Sequence, residues 1–170
     1  MVTSTKTKNA DVVMHKTYQP LEAHTREKVI PILNQSVADA SDLYFQIKQA
    51  HWNVRGPDFI ALHKLFDDVA EEVIEYIDDL AERIAQLGGQ VHGTLKHAAQ
   101  TSSLSDYPLD LTDSPGHVKA LSEALSHFSN EMRLSIEKTD QMEDPVTADL
   151  YTQIGGKVDK WLWFIEAHNM

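Results

Sequence analysis

From Phe59 to Leu87 the chain holds neither glycine nor proline, and apolar residues recur there at three- and four-residue spacing. That pattern predicts one long helix, because a strand would have to alternate every second residue. Gly88 and Gly89 end it, glycine being the residue that most easily takes the left-handed conformation beyond a last turn. Upstream, "RGP" (Arg55–Pro57) stops an earlier helix that begins near Thr25 and runs to about Val54. Pro31 lies near its start, where proline is tolerated or bends the first turn. Asp58 is placed to cap the second helix.

The remaining punctuation is as clear. Residues 88–113 carry glycine, serine, threonine and Pro108, the composition of a long connection, with a short helix expected around Thr94–Thr101. "SPG" starts a third long helix, with Ser114 as cap and Pro115 at the first helical position, running to about Asp140. Asp144 and Pro145 repeat that signal for a fourth, which ends near His168; Gly155 and Gly156 inside it point to close helix packing. There is no internal repeat and no strand pattern. Four long helices with one long crossover between the second and third predict an all-α, ferritin-like four-helix bundle over residues 21–170, behind a flexible N-terminal tail, residues 1–20.

Composition narrows the function. The chain of 170 residues suits one domain with a sizeable core. The absence of cysteine excludes disulfides and thiolate metal sites and fits a reducing compartment. No apolar run is long enough to span a membrane and no secretory h-region opens the chain, so the expected location is the cytoplasm. A net charge of −11 repels nucleic acid and attracts cations. Only the tail runs against it: Lys6, Lys8 and Lys16 face Asp11 alone, and could make a salt-sensitive contact with DNA or simply stay solvated.

The second helix carries the chemistry. Each residue turns a helix by ~100° and advances it ~1.5 Å. With His63 at zero, Asp67 falls at about 40°, Asp78 at about 60° and Glu82 at about 100°. All four share one stripe. Phe59, Leu62, Phe66, Val69, Val73, Ile77, Leu80 and Ile84 fall beside it as the expected core, and Lys64, Asp68, Glu72, Glu75, Asp79 and Arg83 fall beyond it, towards solvent. His63 and Asp67 are one turn apart and can grip one ion; so can Asp78 and Glu82. Yet Asp67 and Asp78 are separated by ~16 Å of helical rise, whereas metal–ligand bonds are about 2 Å. The two pairs cannot hold one ion within one chain. Two antiparallel copies about a twofold axis would bring each histidine half against the other's carboxylate half and form every contact twice. The Gly56–Pro57 turn folds His51 back alongside. The expected shell is His51, His63 and Asp67 of one subunit with Asp78 and Glu82 of the other. Imidazole with carboxylate and no sulfur suits iron(II), with manganese or zinc as competitors. A run such as "DDVAEEVIEYIDDLAE" also reads as an ordinary wet helix face.

The segment "KQAHWNVRGPDFIALHKLFDD…YIDDLAERIAQLGG" strongly resembles the Dps proteins, the mini-ferritins that protect DNA in starved bacteria. The likeness extends over most of the chain, through "SDYPLD" (Ser105–Asp110) and "KWLWFIE" (Lys160–Glu166). Its pattern is met by His51, Trp52, Asn53, Arg55, Gly56, His63, Asp67, Asp78 and Glu82. The resemblance implies a ferroxidase centre shared between two subunits of a hollow dodecamer. Iron(II) would be oxidised there, preferentially by hydrogen peroxide, and stored as ferric mineral, which suppresses hydroxyl radicals. Trp52 would adjoin the centre, either packed in the core or exchanging an electron. By the same resemblance Glu143, Asp144 and Asp149 would line threefold pores, with solvated-loop and capping roles as the plain alternative. His168 could join an accessory metal site. His15, His24, His92, His97, His117 and His127 fit no motif. Association with the nucleoid would rest on the tail lysines.

Two rivals stand beside this reading. A conventional ferritin keeps its di-iron centre inside one bundle with Glu-x-x-His pairs, and none occurs here. A non-catalytic, DNA-compacting helical scaffold would leave the same acids as surface charge.

Overall fold

In the computed structural model, residues 12–169 are described, and every element among them is helical: α1 (Ala23–Asn53), α2 (Phe59–Gln86), α3 (Leu95–Thr101), α4 (Ser114–Gln141) and α5 (Pro145–Glu166). Lys6 and Lys8 lie outside the described residues. No helix among the described residues is long and apolar enough to cross a membrane. α1 packs along α2 and α4 along α5, while α1 also meets α3 and α4. The crossover between α2 and α4 holds α3, capped by Thr94, whose Oγ1 accepts a hydrogen bond from the His97 amide at 3.3 Å.

The core is aliphatic and aromatic. Leu33, Val37, Leu43 and Ile47 of α1 meet Leu62, Phe66, Val69, Val73, Leu80 and Ile84 of α2, with Leu121, Leu125, Phe128 and Met132 of α4 and Tyr151, Ile154 and Val158 of α5. Full burial of each such side chain is worth about 1.5–3 kcal/mol, so the bundle is held chiefly by this surface. Two expected members of the α2 core differ: Ile77 is half-buried, and Phe59, in the first turn, is 38% exposed. Tyr76, not expected inside, is fully buried.

Arg83 is a correction of larger consequence. Expected in solvent, it is buried, and its guanidinium donates to Asp144 Oδ1 at 3.0 Å and to Thr147 Oγ1 at 2.9 Å. Asp144 also accepts from the Thr147 amide at 3.1 Å and caps α5 as expected. Its burial excludes it from any solvent-lined pore. Ser114 is the first residue of α4 rather than its cap, and its hydroxyl donates to the Arg55 carbonyl at 2.8 Å, fastening α4 to the α1–α2 turn. Asp58 precedes α2 without a side-chain cap bond.

Close packing at Gly155 is as expected: a Cβ there would lie 3.6 Å from Met132 Cβ, whereas Gly156 faces open space. Gly88 has φ +81°, and a Cβ on it would come within 2.8 Å of the His15 carbonyl. The His15 amide donates to the Gly88 carbonyl at 2.7 Å, so the segment before α1 is strapped to the end of α2.

A polar row on α1 pins the crossover. Asn34 donates to the Gln90 carbonyl and accepts from the His92 amide; Gln35 donates to the Thr101 carbonyl; Asp39 accepts from the Ser103 amide; Gln46 donates to the Ser105 carbonyl. Gln35, Asp39 and Gln46 follow one another at four and seven residues along one helical face with Asn34 beside them, and each satisfies backbone groups that a long irregular segment would otherwise leave unpaired. Burial holds the Asp39 carboxyl above the usual carboxylate range.

Candidate metal centre

His51 ends α1 and His63 opens α2, and the intervening turn stacks their rings with centroids 3.8 Å apart and planes at 19°. The two form a reciprocal pair. His51 Nδ1 lies 2.7 Å from the His63 carbonyl, and His63 Nδ1 lies 2.9 Å from the His51 carbonyl. A carbonyl oxygen only accepts, so each Nδ1 carries the hydrogen. In the neutral rings both Nε2 atoms then keep a free lone pair, the form that a metal ion needs. Two backbone carbonyls thus set the tautomer and the orientation of both imidazoles at once.

Asp67, one turn after His63, belongs to the same cluster. Its Oδ1 is 2.5 Å from Lys48 Nζ and 3.8 Å from His51 Nδ1. The Lys48 hydrogen bond, above all, holds the Asp67 carboxyl below the usual carboxylate range. Lys48 escaped the sequence reading. The available signal was its place three residues before His51, on the same face of α1.

Trp52 is 62% exposed, so the core-packing reading of it does not hold. Its ring lies on the surface, 5.8 Å below Lys48 Nζ. Phe45, Trp52, Ile60 and Ile74 are large apolar side chains left exposed along α1 and α2 beside the cluster. Ile60 and Ile74 fall at about 60° and 20° on the wheel that places Asp67 at about 40°, within the same stripe.

The carboxylate half is different. Asp78 and Glu82 are exposed, and neither has a hydrogen bond or ion pair among the described residues. α2 is unbroken from Phe59 to Gln86, so the ~16 Å of rise between Asp67 and Asp78 stands. The structure brings His51, His63 and Asp67 together and leaves Asp78 and Glu82 further along the helix. Among the described residues no three His, Cys, Asp or Glu side chains of one chain converge on a common point as metal ligands. Of the other candidates, Glu143 and Asp149 are exposed, and His168 Nδ1 lies 2.9 Å from the Phe164 carbonyl beyond the end of α5.

A family model described as a ferritin-like domain matches residues 30–169. The chain is 42% identical over 154 residues to the DNA protection during starvation protein of Agrobacterium fabrum, covering 91% of this chain and 95% of that one. A protein of the same name from Mycolicibacterium smegmatis is 34% identical over 140 residues, covering 82% of this chain and 76% of that one. Among solved structures, DpsC from Streptomyces coelicolor superposes with a TM-score of 0.88 at 29% identity and covers 92% of each chain.

Proposed function

This chain belongs to the Dps family of ferritin-like proteins, and on that footing we propose that it oxidises iron(II) at centres shared between two subunits and stores the ferric product in a hollow dodecamer. The observation that carries the reading is the reciprocal histidine pair, which leaves both Nε2 lone pairs free, with the Asp67 carboxylate 3.8 Å from His51 Nδ1. A packing role would not require two imidazoles to exchange hydrogen bonds with each other's backbone.

Iron(II) is the substrate. His51 and His63 would orient it, and Asp67 would supply charge once Lys48 is displaced. Asp78 and Glu82 of a second copy would complete the shell, favouring the ferric state because hard anionic oxygens suit the higher charge. The exposed apolar side chains around the stripe, Ile60 and Ile74 among them, give that second copy a surface to cover. Hydrogen peroxide accepts two electrons, one from each of two ferrous ions; hydrolysis of the ferric product to oxyhydroxide releases protons. Consuming iron and peroxide together removes both reactants of hydroxyl-radical formation, so DNA is protected without being touched. Trp52, on the surface beside the cluster, would supply the second electron to peroxide where only one ferrous ion is bound, its indole being oxidised in turn. DNA contact through Lys6, Lys8 and Lys16 is a separate matter, and the acidic body opposes it. Glu143 and Asp149 remain candidates for focusing cations at pores; Asp144 does not.

The alternative, a non-catalytic DNA-compacting scaffold, is separated by one experiment. Anaerobic protein loaded with iron(II) is mixed with peroxide, and ferric absorbance and oligomer mass are followed. The wild type should oxidise iron far faster than buffer, and the His51→Ala/His63→Ala variant should stay assembled but lose that rate. An assembled variant with the wild-type rate would remove the centre from these residues.

A further inference from the structure

The crossover carries a second imidazole pair, unrelated to the iron centre. His92 lies in the connection before α3 and His97 in its first turn, with ring centroids 5.1 Å apart and planes at 77°. The centroid of an imidazole sits roughly 3.2 Å from a metal ion held at its ring nitrogen, so two rings at a tetrahedral angle have centroids about 5.2 Å apart. The observed spacing matches that bite.

Both backbones are fixed while both rings are free. The His92 amide donates to Asn34 Oδ1 at 2.8 Å, and the His97 amide donates to Thr94 Oγ1 at 3.3 Å. Neither ring makes a hydrogen bond among the described residues, whereas the rings of His51, His63, His117 and His127 each have a partner. The pair stands at a cleft of about 350 Å³, also lined by Asn34, Gln35 and Gln90. Gln35 commits its Nε2 to Asp39 and to the Thr101 carbonyl, which leaves its Oε1 available as an oxygen ligand. Among the described residues no carboxylate lines the cleft. Two imidazoles with neutral oxygen donors bind zinc and copper(II) more tightly than iron(II), which stands below them in the order of divalent affinities and which the carboxylate-rich centre would suit.

We propose that His92 and His97 form a second metal site, selective for a divalent ion of the zinc or copper class, with amide oxygen and water completing the shell. A bound ion ties the connection to the first turn of α3.

The test uses the full-length, assembled protein and zinc alone. Bound zinc per chain is measured by equilibrium dialysis and elemental analysis for wild type, His92→Ala, His97→Ala and, as a control on an exposed histidine elsewhere, His127→Ala. The expected result is one zinc fewer per chain in the first two variants and no change in the third, with peroxide-driven iron oxidation unchanged throughout. With cobalt as the probe, the same two variants should lose the visible absorption of a tetrahedral site. Wild-type zinc stoichiometry in His92→Ala and His97→Ala would overturn the proposal, as would an equal loss in His127→Ala. Iron oxidation is read in a separate arm, so failure here leaves the iron centre standing, and the converse holds.

Discussion

The two halves of α2 bear similar residues and meet opposite fates. At the N-terminal half, His63 and Asp67 are fully engaged: carbonyls orient the imidazoles and Lys48 holds the acid. At the C-terminal half, Asp78 and Glu82 project from the same stripe with no partner among the described residues, while Arg83, one residue on, is buried against Asp144. One half is an ordered cluster of two imidazoles, an acid and a lysine, and the other a pair of exposed acids beside a buried anchor. A polar group gains little by ordering itself in water, so order is found where several groups meet. The contrast teaches that the C-terminal half is fixed by its buried neighbour rather than by its own carboxylates, which is what the proposed sharing of the centre between two subunits requires of them.

The sharpest way to break the contrast is to cut the anchor. Asp144→Ala leaves the Arg83 guanidinium buried and unpaired, which should cost about 3–5 kcal/mol of unfolding free energy by chemical denaturation. A loss under 1 kcal/mol would mean that the pair is hydrated and the carboxylate half loosely held. Next come the ligands themselves. His51→Ala/His63→Ala and Asp78→Ala/Glu82→Ala should each slow peroxide-driven iron oxidation by about a hundredfold or more, since even outer-shell losses cost ten- to a hundredfold. Co-assembling the two variants in equal amounts separates a shared centre from a private one. In a mixed twofold pair, one site keeps only Asp67 and the other keeps every ligand, so random pairing should restore roughly a quarter of the wild-type rate. No recovery on mixing would place each centre within one chain.

Much of this was legible because glycine and proline punctuate the chain where the helices stop. α1, α2, α3 and the long crossover lie within a residue or two of their expected bounds. The separation of the two acid pairs was also legible, since α2 is unbroken and a rise of ~1.5 Å per residue sets Asp67 apart from Asp78. What stayed hidden depends on segments far apart in sequence. Arg83 lies at about 200° on the wheel and Tyr76 at about 220°, both bordering the core. Only the approach of Asp144 decides that an arginine there is drawn inwards. The α1 polar row was hidden likewise, because Asn34, Asp39 and Gln46 find their partners more than fifty residues away. Trp52 misled for the opposite reason: a large aromatic is usually buried, and the face it occupies is left uncovered by the described residues.

Beneath the imidazole half, His117 offers a milder test of how firmly that half is held. It is 1% exposed, its Nδ1 lies 2.6 Å from Tyr107 Oη, and its Nε2 finds no hydrogen-bond partner among the described residues. Burial pushes its pKa below the ordinary value of 6.5. The folded state therefore favours the neutral ring. The stability this contributes is present above pH 6.5 and is lost as pH falls through the lowered folded value. The melting temperature of the wild type should fall on acidification over that window, and that of His117→Gln, which cannot titrate, should fall less. Parallel curves for the two proteins would show that His117 is not the group responsible.

The smallest expected effect falls on the engaged half and bears most directly on why it is engaged. Lys48 sits where a cation would, its ammonium against Asp67 Oδ1. An arriving ferrous ion has to displace it, so the ion pair opposes metal binding by its own strength. Asp67 is partly exposed, and ion pairs in such positions are worth about 0.2–1 kcal/mol. Lys48→Ala should therefore tighten iron(II) binding by up to about fivefold, measured by anaerobic calorimetry at fixed pH. The same substitution in the Asp78→Ala/Glu82→Ala background should tighten it by the same factor if the two halves contribute independently. Weaker binding in Lys48→Ala would show that the lysine orders Asp67 more than it competes with the ion, and that the preformed half owes its geometry to the ammonium as well as to the two carbonyls.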